Sequence, residues 1–201
     1  MQKKFTTILA DPPWPYHSPR AVVGNGGRGS AGAAEIIQTS VADHYDTMSI
    51  NDIKALPIKT LSHLNAHLYL WTTNSFMVEA HEVAKAWGFK PKTILTWVKV
   101  HKGNPTKASM KTGYWYRSAS EHIIFAVRGS MKLQGPAVPT AYMYPRLPHS
   151  KKPDEFYELI EQQSPGPYLE LFARSIRKDW TGVGNAVDGK DIRESLTTIT
   201  I

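Results

Sequence analysis

The sequence predicts an α/β protein built on one doubly wound sheet, and three observations support this. Short apolar runs recur at strand length, at residues 4–10, Ala66–Thr72, Thr93–Lys99, His122–Val127 and Tyr168–Ala173. Between them lie segments with helical periodicity. In the clearest, Phe76, Ala80, Val83, Ala84 and Trp87 form one apolar stripe. Strands alternating with helices bury a sheet between helical layers and gather ligands at the strands' carboxyl ends.

Each element carries its own signals. Residues 4–10 read as a buried strand ending at Asp11. Ser49 with Asp52 three residues on is a capping box for a helix over Ile50–Leu56, stopped by Pro57. The Phe76–Trp87 helix is expected to end at Gly88 in the C′ position, with Trp87 in the core. A helix over Pro153–Gln163 opens on proline, and Asp154 and Glu155 complement the dipole of its first turn. A short strand over Trp180–Val183 follows. Two long segments, 17–44 and 129–149, are expected to be mobile loops forming a groove for the target strand. The glycines at 24, 26, 27 and 29 fit neither phosphate-loop spacing.

Composition bounds the class. A chain of 201 residues with 41% apolar content buries a core as one domain, here 1–201. The net charge of +7 points to an anionic partner, nucleic acid first. The basic residues, among them Arg20, Arg28, Lys102, Lys107, Lys111, Arg117, Arg146, Lys151 and Lys152, look dispersed along the chain. No cysteine is present, so disulfides and thiolate metal sites are excluded. No signal peptide and no apolar run of membrane-spanning length is evident, so the expected location is the cytoplasm, with no membrane partner.

The most informative residues are Asp11, Pro12, Pro13 and Trp14, at the end of the first strand. A carboxylate and the Pro12 carbonyl offer two acceptors to the amino group of a planar ring, such as N6 of adenine. Hydrogen-bonding both N–H groups draws that nitrogen toward sp³ and aims its lone pair at an electrophile. Proline fixes φ, which holds the carbonyl in place. Trp14 offers a face for the base, or else is a core ring after a Pro-terminated turn. A transfer of this kind needs no metal.

With this tetrapeptide in place, the chain resembles the MT-A70 family of S-adenosylmethionine-dependent adenine N6-methyltransferases along nearly its whole length. The matching segments are Ile8–Tyr16, Tyr45–Met48, Leu68–Thr72, Trp87–Phe89, Thr96–Lys99, Gly113–Arg117, Glu121-His122 with Arg128-Gly129, Ser150–Tyr157, Ser164–Pro167, Glu170–Arg174 and Gly184-Asn185, in the family's order. The resemblance implies a Rossmann-like methyltransferase fold with permuted motifs, the catalytic tetrapeptide preceding the cofactor segment. It implies S-adenosylmethionine as cofactor, held by Asp11, Lys152, Glu170, Phe172, Arg174, Gly184 and Asn185. Lys152, just before a helix N-terminus, would take the cofactor's carboxylate; a solvated lysine is the alternative. Arg174 would lie against the ribose, and Gly184-Asn185 would contact ribose or adenine unless it is a plain turn. Two departures stand out: the chain begins ten residues before Asp11, and Ala186 follows Asn185 where some relatives have a polar residue.

For the substrate, a duplex base must be flipped out or presented on a single strand. Tyr16, Tyr45, Lys99, Tyr116, Arg117 and Arg146 are the candidate contacts. The aromatic run Tyr114–Tyr116 also fits a half-buried strand, Lys99 also fits a salt bridge, and Glu121-His122 also fits a structural pair. The leading expectation is a DNA adenine N6-methyltransferase of short or relaxed site specificity. RNA methylation by the same chemistry and a non-catalytic nucleic-acid-binding role are the alternatives, and a homodimer or heterodimer is compatible with each.

Overall fold

The structure is a computed structural model that describes residues 4–16, 47–110, 116–148 and 151–199. Tyr45, the 17–44 loop and Gly113–Trp115 of the aromatic run lie outside the described residues.

One eight-stranded sheet organises the chain. Its centre is β1 (Phe5–Ala10), flanked in parallel by β2 (Ser62–Thr72) and β7 (Tyr168–Leu171), with β8 (Trp180–Val183) parallel beyond β7. On the other side β5 (Ser120–Arg128) runs antiparallel to both β2 and β3 (Lys90–His101). The free side of β3 carries β4 (Asn104–Ala108), antiparallel, and β6 (Ala141–Pro145), parallel. β1 is buried at five of its six positions, on both faces, which is why it shows no alternation of polar and apolar residues.

Side-chain alternation divides the interior into two cores. Ile8, Ala10, Leu68, Leu70, Ile124 and Ala126 face α1 (Ile50–Ala55), α2 (Ile58–Leu61), α3 (Met77–Ala86) and α6 (Ile192–Thr198). Leu9, Tyr69, Trp71, Trp97, Ile123 and Phe125 face α4 (Glu155–Gln163). A short α5 (Asn185–Asp188) follows β8. Helices thus cover both faces, as a doubly wound sheet requires.

Local signals explain the ends. The Ser49 hydroxyl accepts from the Asp52 amide at 3.1 Å, closing the expected cap. At the end of α3, Gly88 has φ +85°, its amide donates to Lys85 and the Phe89 amide donates to Ala84, a Schellman motif. Trp87 is buried and its indole N–H donates to the Ile53 carbonyl at 2.9 Å, so it is core. Ser164 is fully buried, where its hydroxyl joins His67 Nδ1 and the Tyr69 hydroxyl, each at 2.7 Å.

The structure departs from the sequence reading in three places. β2 and β3 are longer than expected because most of their added residues, His63–Asn65, Lys90, Lys92 and His101, are exposed and carry no apolar pattern. β4 is exposed at all five positions and gives no periodic signal. The 129–149 segment is not simply a loop. β6 forms within it, Tyr142 and Tyr144 pack against Phe156, and Gln163 donates to the Pro136 carbonyl.

Candidate active site

The parallel strands β1, β2, β7 and β8 all end at one rim, and β3 ends there too because it opposes β5. Asp11 leaves the end of β1. Glu121 belongs to the same rim although it starts a strand, since β5 runs the other way and pairs Glu121 with Trp97 and His122 with Thr72.

Four charged side chains meet at this rim in alternating sign. Lys152 Nζ lies 2.6 Å from Asp11 Oδ2 and 3.3 Å from Glu121 Oε2. Lys99 Nζ bonds the other Glu121 oxygen. Their floor is aromatic: Lys152 Nζ sits 5.1 Å above the Trp71 ring and Lys99 Nζ 4.7 Å above Trp97. The side chains of Lys152 and Glu121 are only 13% and 19% exposed, so the pairing decides their ionisation. Burial pushes the Glu121 carboxyl up, but Lys152 and then Lys99 outweigh it and hold it below the usual carboxylate range. Burial pulls the Lys152 ammonium down, but Asp11 and Glu121 outweigh it and hold it above the usual lysine range. Both groups therefore stay charged at neutral pH.

This cluster decides between two pairs of alternatives. Lys152 is not a solvated surface lysine; its ammonium is engaged by Asp11 and Glu121. Lys99 makes the salt bridge that was open as an alternative, and Glu121 is the acid that joins the two lysines. Nothing in the local pattern identified Glu121's partners, because they come from elements 22 and 31 residues away in sequence. His122 faces Thr96 and Asn74 instead, bonding Thr96 Oγ1 at 3.1 Å.

Beside the cluster, the Tyr157 hydroxyl donates to Glu170 Oε1 at 2.6 Å. Burial pushes the Glu170 carboxyl up, and the opposing pull of Tyr157 and Arg177 does not cancel it. Burial, then the Glu170 charge, raises the Tyr157 hydroxyl in turn. Arg177 lies 3.8 Å above the Tyr157 ring and pairs with Asp154. Asp154 occupies the N-cap position of α4 but makes no side-chain cap, so the expected first-turn role gives way to ion pairs with Arg177 and Lys151.

After β7 the chain turns sharply. Phe172 has φ +61°, a left-handed conformation costly for an aromatic residue. Its ring packs against the core that α1, α2, α3 and α6 cover. Gly184 has φ +153°, and a Cβ there would lie 2.9 Å from the Ala173 nitrogen and 3.0 Å from its oxygen. The tight contact at Gly184 is thus with the chain just past β7. Asn185 is exposed at the start of α5, and Arg174 is exposed just past β7.

The tetrapeptide is cross-braced. The Pro12 carbonyl accepts the Trp14 amide and the Pro13 carbonyl accepts the Met48 amide, each at 2.9 Å. A carbonyl has two lone pairs, so Pro12 keeps one acceptor site. Trp14 is 4% exposed, stacks on Phe76 at 5.5 Å and donates its indole N–H to the Trp71 carbonyl at 3.1 Å. This corrects the base-stacking expectation: the ring is core, tying the end of β1 to the end of β2. Tyr16 is half-buried, with its hydroxyl 2.6 Å from Thr73 Oγ1 and its edge on Phe76. Tyr116 is 96% exposed, and Arg117 and Arg146 are exposed as well. Among the described residues no group of three or more acidic or histidine side chains is placed to hold a metal. No helix among them is long and apolar enough to cross a membrane.

A mixed α/β sheet with helices on both faces and a paired cluster of charged side chains at one rim defines a Rossmann-like protein of the methyltransferase type. The MT-A70 family model matches residues 5–186, and the chain belongs to that family. It is 28% identical over 190 residues to the N(6)-adenosine-methyltransferase MT-A70-like protein of Drosophila melanogaster, covering 92% of this chain and 27% of that protein. It is 27% identical to the N(6)-adenosine-methyltransferase catalytic subunit METTL3 of Homo sapiens, covering 92% of this chain and 29% of that protein. The type II methyltransferase M.MunI of Mycoplasma sp. is 27% identical over 192 residues, covering 91% of this chain and 78% of that protein. The chain thus spans about a quarter of the length of the adenosine methyltransferases it matches.

Family members take their methyl group from S-adenosylmethionine. The donor set fits that molecule: its amino-acid tail carries an ammonium and a carboxylate, and the rim holds a carboxylate and an ammonium, Asp11 and Lys152, side by side.

Proposed function

We propose that this protein transfers a methyl group from S-adenosylmethionine to the N6 amino group of adenine in DNA. The observation that carries the reading is Asp11, a carboxylate at the strand rim, held 2.6 Å from Lys152 and followed by a braced Pro12 carbonyl. The cofactor supplies an electrophilic methyl on sulfur when bound. Asp11 and the remaining lone pair of Pro12 accept the two N6–H groups and turn the nitrogen lone pair outward. Transfer would break the S–CH₃ bond as the N–CH₃ bond forms, and the nitrogen's extra proton would leave to water. Lys152 would hold the cofactor's carboxylate, and Glu121 keeps Lys152 charged and in place. Arg174, Asn185 and Glu170, at the ends of β7 and β8, would hold the ribose and base of the cofactor. Rate enhancement comes from orienting two bound reactants in a water-poor site.

The coverage of M.MunI along most of its length supports DNA as the polymer. The relatives named as N(6)-adenosine methyltransferases support RNA as the second reading, and one of them is named a catalytic subunit, which supports a partner chain. The test is nucleoside mass spectrometry after incubation with isotopically labelled S-adenosylmethionine and duplex DNA, single-stranded DNA or RNA, with Asp11→Asn alongside. Labelled N6-methyladenine in DNA, lost in the variant, is the expected result. Label in RNA alone would replace the polymer. No label with cofactor binding intact would remove the stand-alone activity.

A further inference from the structure

The sheet order gathers charge that looks dispersed along the sequence. Residues 83–153 contain thirteen lysines and arginines and a single acid, Glu121, a net of +12 in a chain whose total is +7. The rest of the chain is therefore at −5. Those residues supply β3, β4, β5 and β6, a contiguous half of the sheet. The one acid is turned inward and shared by Lys99 and Lys152, so it neutralises nothing on the surface of that half.

Strand direction then sorts these charges between two rims. Lys90, Lys92 and Lys132 lie at the start of β3 and beyond the end of β5, away from Asp11. Lys102, Lys107, Arg117 and Arg146 lie at the catalytic rim. Thr96 is level with His122 and hence with Thr72, the end of β2. Five further residues of β3 extend past that level, roughly 16 Å at the usual strand rise. The hairpin turns at Lys102-Gly103, where Gly103 has φ +82°, and Asn104 Oδ1 accepts from the Thr106 hydroxyl at 2.8 Å. The Arg146 amide donates to the Val100 carbonyl at 3.0 Å, which fixes Arg146 at the hairpin's root. Lys102, Lys107, Arg117 and Arg146 are exposed and enter no ion pair among the described residues.

We propose that the β3–β4 hairpin and Arg146 form a phosphate track that seats the backbone of the target DNA strand to one side of the active site. The inference rests on the proposed function for its choice of polymer. β3 stands three strands from β1, about 14 Å away. That distance is about four nucleotides of a strand stacked at roughly 3.4 Å each. The track therefore grips phosphates flanking the target base, and the strand enters from the β4 side of the sheet. The exposed Tyr116 ring, on the same rim, offers a stacking plane beside it. Phosphate contacts position without reading sequence, so this surface sets affinity and register.

Fluorescence anisotropy with labelled duplex and single-stranded oligodeoxynucleotides, titrated across a salt series, tests the proposal on the full chain. The triple variant Lys102→Gln/Lys107→Gln/Arg146→Gln is compared with Lys90→Gln/Lys92→Gln/Lys132→Gln, which removes the same charge from the opposite rim. Each lost phosphate contact lowers the slope of log K against log salt by roughly 0.9 on duplex and 0.7 on single strands. The first triple is expected to flatten the slope by about 2 to 3 and to weaken binding at low salt, with S-adenosylmethionine affinity unchanged. The second is expected to keep the wild-type slope. Equal slopes in the two triples, or RNA binding that responds while DNA binding does not, would overturn the track. Its failure is separable from that of the proposed function. Methyl transfer to DNA with equal slopes leaves the activity and removes the track. A rim-specific slope on DNA without methyl transfer keeps the track and removes the activity.

Discussion

Replacing Glu121 with glutamine removes the one negative charge between two largely buried lysines while keeping the side chain's shape. Unit charges 3.3 Å apart, the Lys152–Glu121 separation, attract by about 5 kcal/mol at an effective dielectric near 20. Glu121 has a second such partner in Lys99. Against this stands the desolvation of its carboxylate, several kcal/mol, which the amide avoids. Removing one member of a buried pair typically costs about 3–5 kcal/mol. With 19% of the Glu121 side chain still exposed, solvent screening puts the expected loss at the lower end, about 3 kcal/mol. For a chain of this length that is a fall in Tm of about 6–12 °C. The pH dependence has a definite sign. The folded-state pKa of Glu121 is lowered below its ordinary 4.5, so its contribution is present above 4.5 and lost as pH falls through the lowered value. Urea unfolding at pH 7 and at about pH 3 should show the gap between wild type and variant narrowing in acid. A gap below about 0.5 kcal/mol at pH 7, or one that does not change with pH, would refute the pairing argument.

Three further outcomes follow from particular contacts. Trp14→Ala should cost about 3–5 kcal/mol of stability, because a core ring and its bond to Trp71 are lost; a melt within a few degrees of wild type would return Trp14 to the substrate face. Gly184→Ala should lower the urea midpoint by the equivalent of about 2 kcal/mol or more, since its Cβ meets backbone rather than a movable side chain; an unchanged midpoint would show that the strand ends yield. Tyr157→Phe removes the donor to Glu170 and should cost about 1–2 kcal/mol at pH 7. Because the folded-state pKa of Glu170 is raised, its contribution is full below 4.5 and lost as pH rises through the folded value, and the variant raises that value further. The loss should therefore be smaller at about pH 4 than at pH 7, and denaturant melts showing the reverse order would count against it.

Much of the fold is legible in the residues because it rests on local physics. The apolar run before Asp11, the Ser49 cap, the α3 stripe ending at Gly88 and α4, which begins at Glu155 two residues after the expected Pro153, each declare themselves within about a dozen residues. The tetrapeptide at the end of β1 and its match to the family are likewise sequence facts. Elements that bury little carry no such signal, which is why β4 and β6 emerge only as sheet partners of β3. The same division runs through the site. The sequence by itself determined which chemistry is present: a carboxylate with prolines at a strand end and a lysine before a helix. Only the tertiary structure decided which groups meet. Glu121 lies 110 residues from Asp11 in sequence, yet one antiparallel strand carries it to the rim where Lys152 joins both. Trp14 passes from stacking face to core because β2 ends beside it with a free carbonyl for its indole. Long-range pairing of charges and the sidedness of a sheet depend on strand order and direction, and neither is written in any local window of the chain.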